Sequence, residues 1–211
     1  MPHFNLGSYR VDVGKLVMLL SFPKGRKGAE TVVLVKPQSS ILQGSEGMSP
    51  LPSGGTYECR MLLGVAIGEK VLAGTEPPEG VIMGYGVILD IMDIGGLGPV
   101  RKMGVPWTGP CLFDGSSIIS DFVPSSEVTD PSALEVYLEM DGEQKASLTT
   151  GDLLMDVQTA LRTASAAMTL YPGDIIGIEV LGTRTPIRSD SKMDAGISSV
   201  SIIRASYEAT P

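Results

Sequence analysis

GYGVILDIMD (84–93) and VPWTGPCLFDGSS (105–117) bracket the stretch of this 211-residue chain on which the fold turns. The first block is rich in Val, Ile and Leu. A short helix can be drawn over Gly84 to Asp93, but the β-branched content favours a strand. Gly95-Gly96-Leu97-Gly98, which follows, has the glycines of a phosphate loop. It lacks the following helix and the Lys-Ser/Thr signature, so it reads as a plain loop.

Outward from this stretch the same texture repeats. KLVMLLSF, TVVLVKP, MLLGVAIG, LEVYLEM, DIIGIEVLG and GISSVSIIRASY are apolar runs of strand length, set apart by frequent Gly and Pro. Leu16 to Phe22 reads as a buried strand, well short of the ~20 apolar residues of a membrane span. In LEVYLEM, Leu134, Val136, Leu138 and Met140 alternate with Glu135, Tyr137 and Glu139, the pattern of a strand with one wet face. Asp141-Gly142 then suits a tight hairpin. Helical spacing is clear once, over Thr150 to Met168, where Leu153, Leu154, Val157, Leu161 and Met168 recur. Thr150 or Asp152 is the expected cap, and Tyr171-Pro172-Gly173 the stop. Ser45 to Gly55 and Gly74 to Gly80 read as turn-rich connectors. The expected fold class is mainly β (α+β), a single domain over 1–211 with one substantial helix.

Composition narrows the function classes. The net charge of −8 opposes nucleic-acid binding, which needs clustered Lys and Arg. Lys24, Arg26 and Lys27 in FPKGRKG read as a solvated loop. Cys59 and Cys111 are too few for a disulfide scaffold, so an intracellular, reducing compartment is expected. With only 5% aromatic residues, aliphatic side chains and the eleven methionines must fill the core.

Taken in order, the segments resemble the fumarylacetoacetate hydrolase superfamily. TVVLVKPQSSILQG is similar to its FLKPxSALxG strand and turn, and TYECRMLLGVAIGEK to its YExELxxVIGK strand. GYGVILDIMD is similar to GYxxxNDxSxRD, and VPWTGPCLFD to WTxxKxFD. LEVYLEMDGE matches the strand and turn that follow. LTTGDLLMDVQTALRTASAAMTLYPGDII is similar to NTxxMxxxxxxLIxxxSxxxTLxPGDVI. The resemblance implies the β roll of that superfamily, with a core of about 31–211 behind a shortened N-terminal lid segment. It also implies metal-assisted chemistry. Two glutamates and an aspartate hold Mg²⁺ or Mn²⁺, the ion stabilises an enolate, and a lysine places the substrate. In the hydrolases a His-Glu pair on the lid activates water.

Carried over residue by residue, the resemblance puts Glu58 and Asp90 at two metal positions and Arg60 at that of the second glutamate. If the strand is instead aligned at Gly68, the ligand positions become Arg60 and Leu62. Asp93 matches an outer aspartate. Cys111 stands at the lysine position, where it reads as a buried, inert thiol. The family's Thr-Gly-Thr-Pro loop is not kept, since GDII continues as GIEVLG; Thr183, Thr185 and Pro186 are the residues that could supply a displaced version. His3 lies too near the terminus to match the lid histidine. Arg60 is expected to replace the ion by pairing with carboxylates. These differences lead to the expectation of a non-catalytic structural or interaction subunit of a larger assembly, with no cofactor. The alternative is a divergent divalent-metal-dependent hydrolase, decarboxylase or tautomerase, using Mg²⁺ or Mn²⁺ on a 2-oxo acid or β-diketone. The family implies a homodimer, or a protein complex for the subunit reading, and a mitochondrial matrix location.

Overall fold

The computed structural model describes residues 1–23, 29–44, 48–188, 190–197 and 201–209. In chain order its strands are β1 (His3–Leu6), β2 (Tyr9–Asp12), β3 (Leu16–Pro23), β4 (Ala29–Lys36), β5 (Ile41–Gln43), β6 (Met48–Leu51), β7 (Tyr57–Ile67), β8 (Ile82–Asp93), β9 (Ser117–Ile119), β10 (Val123–Pro124), β11 (Glu135–Met140), β12 (Glu143–Thr149), β13 (Ile175–Glu179), β14 (Thr185–Ile187), β15 (Lys192–Ile197) and β16 (Ser201–Ala209). Three α-helices join them: α1 (Ile94–Met103), α2 (Thr108–Cys111) and α3 (Val157–Ala167).

The long strands β7 and β8 form the spine. They pair antiparallel from Tyr57↔Asp93 to Ala66↔Gly84, and the register shifts only beyond Ala66. In this register Arg60 lies directly opposite Asp90, and Glu58 opposite Met92. The main sheet runs β4-β3-β13-β7-β8-β9-β5, with β10 and β14 paired at its side. A second sheet runs β12-β11-β15-β16-β6.

Strand alternation sorts the apolar side chains into two cores. Cys59, Met61, Leu63, Val65 and Ile67 of β7 face the second sheet and α3, together with Val136, Leu138, Ala160, Leu161 and Ala164. Leu62 and Ala66 face the other way, into a core with Phe4, Leu16, Met18, Leu20, Ile88, Met92, Cys111 and Phe122. The N-terminal strands thus belong to the body of the fold. Gly64 and Gly86 oppose each other in the ladder, and a Cβ on them would come within 2.8 and 2.7 Å of the Phe122 ring. Their missing side chains make the slot that ring fills.

The second core lies inside a curl. Lys36 on β4 touches Asp90 on β8 at 2.5 Å, although three strands separate them in the sheet order. In a flat sheet they would stand about 19 Å apart, at ~4.8 Å per strand. The sheet therefore rolls on itself and closes around their side chains.

Local departures from expectation have local causes. The helix expected from Thr150 starts at Val157, capped by Asp156, whose side chain accepts from Thr159 N. Thr149 and Asp152 form a capping box on a separate 3₁₀ turn, Thr150–Asp152. Between them Leu154 N donates to Glu179 O and Leu153 bridges to Val180, so the chain is extended there. Gly95 to Gly98, expected as a loop, lie in α1. A Cβ at Gly96 would meet Asp93 Oδ2 at 2.6 Å, so glycine lets the helix start close beneath that carboxylate. The connector expected at 45–55 contains β6, and GISSVSIIRASY divides between β15 and β16, which pair antiparallel. Asp141 and Gly142 take φ of 55° and 79°, as a tight hairpin of this kind requires.

Candidate active site

Asp90 sits near the middle of β8, fully buried, with a cation at each oxygen. Lys36 Nζ stands 2.5 Å from Oδ1 and Arg60 Nε 3.3 Å from Oδ2. Arg60 continues to Glu179 at the end of β13, Nη1 to Oε2 at 3.4 Å. Glu179 Oε1 then meets Arg184 Nη2 at 2.8 Å. The result is a chain of alternating charge, Lys36–Asp90–Arg60–Glu179–Arg184, drawn from five segments. Its first four members are almost wholly withdrawn from solvent. Ser21 N donates to Glu179 Oε2 at 2.6 Å, and Arg184 also binds the Ser21 oxygens, which ties β3 to the same chain.

Lys36 is held from behind. Its Nζ donates to the Ser116 carbonyl at 2.8 Å and to Ser116 Oγ at 3.0 Å, and Ser116 Oγ donates to Cys111 O. Burial lowers the Lys36 pKa, against the pull of Asp90. The contacts at Asp90 are ion pairs. Among the described residues, both of its oxygens and Ser117 Oγ lack a hydrogen-bond partner. Ser117 pairs with Asp90 across β8–β9. Three buried polar atoms with open capacity in one place are unusual for a purely structural core.

An aromatic cover closes the other side. The Phe22 ring lies 5.1 Å from the Arg60 guanidinium, 5.4 Å from that of Arg101 and 5.8 Å from that of Arg184. Trp107 meets it edge-on at 5.0 Å. Trp107 stands at the start of α2 and Cys111 at its end, so this short helix carries both a cover residue and a wall residue.

The residues singled out from the sequence are only partly brought together. Asp90, Arg60 and Cys111 share the site. Glu58 lies two ladder pairs further along, half-buried, and joins no ion pair among the described residues; Arg60 pairs with Asp90 and Glu179 instead. Asp93 accepts from Thr56 N at 3.0 Å beside α1. Thr183 accepts from Met61 N and donates to Val180 O, a loop-fixing role. Thr185 and Pro186 pair with β7. His3 pairs with Asp12 in the β1–β2 hairpin. The Cys111 thiol is pushed up to about 11, chiefly by burial and then by Asp90. The lid segment at 24–28 lies outside the described residues.

Lys36, Glu179 and Arg184 were missed. A signal for Lys36 existed in TVVLVKP: Val32, Leu34 and Lys36 share one phase of the strand, and that phase faces the core. A charge in phase with buried apolar residues marks a paired or reactive group. Glu179 closes the all-buried run IIGIE in the same way.

The model of the family "Fumarylacetoacetate (FAA) hydrolase C-terminal" matches residues 12–203. The chain belongs to the fumarylacetoacetate hydrolase family. It is 30% identical over 184 residues to a mitochondrial oxaloacetate tautomerase of Arabidopsis thaliana, covering 85% of this chain and 81% of that protein. It is also 30% identical over 149 residues to an oxaloacetate tautomerase of Escherichia coli, covering 70% and 68%. Among solved structures, the fumarylpyruvate hydrolase of Pseudomonas aeruginosa in complex with Mn²⁺ and pyruvate shares the fold. It has a TM-score of 0.86 at 20% identity, over 99% of this chain and 96% of that one.

These relatives overturn the expectation of a non-catalytic structural subunit, because family members that match along most of their length are named as enzymes. The physical source of the error is visible. Cys111 at the lysine position suggests a site without an amine, yet Lys36 brings one to the same place from β4.

The family implies a divalent ion, and the residues present do not fit one. Among the described residues no group of three His, Cys, Asp or Glu is placed to hold a metal. The buried carboxylate that would contribute, Asp90, is already flanked by two cations. Unit charges about 4 Å apart interact by roughly 4 kcal/mol at an effective dielectric constant of about 20, and a divalent ion would feel twice that from each cation.

Proposed function

We propose that this chain is a tautomerase for an enolisable 2-oxo acid of the oxaloacetate type. The observation that carries the reading is the buried Lys36–Asp90 contact, an acid and a base held together beside a fixed guanidinium. The names of the relatives over most of the chain support the substrate class.

Keto–enol exchange asks little of a site. One proton leaves the carbon next to the ketone, its bonding pair becomes the new C=C bond, and the ketone oxygen takes up a proton. Asp90, whose oxygens have spare acceptor capacity, takes the carbon-bound proton. The Lys36 ammonium, its pKa lowered by burial, donates to the ketone oxygen. The guanidinium of Arg60 offsets the negative charge that develops between the two events. Hydrolysis would also need a water-activating base, and the chain's one histidine, His3, stands in the β1–β2 hairpin. Phe22 lies over Arg60 and Trp107 meets Phe22 edge-on, so the two rings stand on the guanidinium side of the site. The mitochondrial names among the relatives support a mitochondrial location.

The test is the decay of the enol absorbance of freshly dissolved oxaloacetate. The wild-type protein should speed it well beyond buffer. Lys36→Met, shown to be folded by Trp107 fluorescence, should lose on the order of a hundredfold or more in kcat, the usual worth of a positioned acid or base. A wild-type rate equal to buffer, or a Lys36→Met variant at full rate, refutes the proposal.

A further inference from the structure

We infer that Arg60 and Lys36 together occupy the electrostatic place of a divalent cation, so that this member of the family neither binds nor uses one. Arg60 lies opposite Asp90 in the ladder and engages one of its oxygens, while Lys36 engages the other from across the curl. Both cations are anchored. Glu179 holds Arg60, with Arg184 and Ser21 N behind it, and Ser116 holds Lys36 through two acceptors. Neither can swing aside without stranding a buried charge.

The ligand supply is short as well. Hard divalent ions take six or more oxygens, several of them from carboxylates. Here Asp90 is flanked by two cations, which oppose a third positive charge, and Glu179 is committed to two arginines and the Ser21 amide. Glu58, on the same strand face as Arg60, is only half-buried and joins no ion pair among the described residues. The electrophile of the site is thus part of the protein. Its charge is fixed in position, and chelators or metal starvation leave it intact.

Metal binding is read without substrate, so its outcome is separate from that of the oxaloacetate assay. Mn²⁺ is titrated into the full-length protein and the free-ion electron paramagnetic resonance signal is followed. The wild type should leave the signal unchanged with equimolar protein at millimolar concentration. Arg60→Glu, which places a carboxylate two residues from Glu58 and opposite Asp90, should gain at least about tenfold in Mn²⁺ affinity, and adding Asp90→Asn should abolish the gain. Arg60→Gln, a neutral change of similar shape, serves if Arg60→Glu does not fold; it should bind Mn²⁺ more weakly but measurably. One Mn²⁺ per wild-type chain, lost in Asp90→Asn, would overturn the inference. So would a folded Arg60→Glu, or Arg60→Gln in its place, that takes up no more Mn²⁺ than the wild type.

Discussion

Asp90 is the residue on which the site depends, because it neutralises two cations at once. Asp90→Asn leaves Lys36 and Arg60 facing each other in a dry core. Breaking a buried ion pair from one side typically costs about 3–5 kcal/mol, and that loss is expected in urea unfolding. Adding Lys36→Met should recover part of it, because one of the stranded charges is then gone. Full additivity of the two substitutions would mean that the 2.5 Å contact carries no coupling. Cys111 makes the opposite case, of a residue close to the chemistry but silent. Its thiol is fully buried and pushed up to about 11, so about a thousandth of it is thiolate at pH 8. Iodoacetamide should label Cys111 far more slowly in the folded protein at pH 8 than in the urea-unfolded one. Rapid labelling of the native state would contradict the burial.

At the level of elements, two sites test how the strands and helices are held. Asp156 caps α3 through Thr159 N, and hydrogen bonds from the Thr159 hydroxyl and amide hold its carboxyl below the ordinary carboxylate value of 3.8. A carboxylate stabilised in this way contributes above 3.8 and loses its contribution as pH falls through the lower, folded value. Asp156→Ala should therefore cost about 1 kcal/mol at pH 7, with the gap to wild type closing in acid below pH 3.8. Gly86→Ala drives a methyl group to 2.7 Å from the Phe122 ring and should cost about 1–3 kcal/mol, less if Phe122→Leu is made with it. The strands themselves were legible, because runs such as LEVYLEM and DIIGIEVLG carry their phase openly. Helix α1 was not, because Gly95, Gly96 and Gly98 argue against a helix locally, and only packing of Leu97 and the close approach to Asp93 reveal it. In the site, Asp90 and Arg60 stood out by their place in known motifs. Lys36 did not, since its partner lies 54 positions away (36 to 90) and contact depends on the curl of the sheet. Glu179 joins the same chain of charge across 119 positions (60 to 179), and Arg184 follows it five residues on.

Taken whole, the molecule shares its spine between two cores, with β7 and β8 facing both. It should unfold in one step. The fluorescence of Trp107 beside the site and the far-ultraviolet circular dichroism of the strands should trace coincident curves, and separated midpoints would mean that the two sheets come apart independently. No helix among the described residues is long and apolar enough to cross a membrane. The charge chain has a further consequence for how the fold is reached. β8 is apolar on both sides of Asp90, so hydrophobicity alone barely distinguishes one strand alignment from the next. A slip of a single residue against β7 would turn Asp90 into the aliphatic core beside Met61 and Leu89 and strand Arg60 without a partner. Such a misaligned sheet would bury a naked carboxylate, an error more costly than any loss of packing. The buried ions thus proofread the pairing of an otherwise ambiguous strand, and refolding of Asp90→Leu should populate misregistered, aggregation-prone species that the wild-type chain rejects.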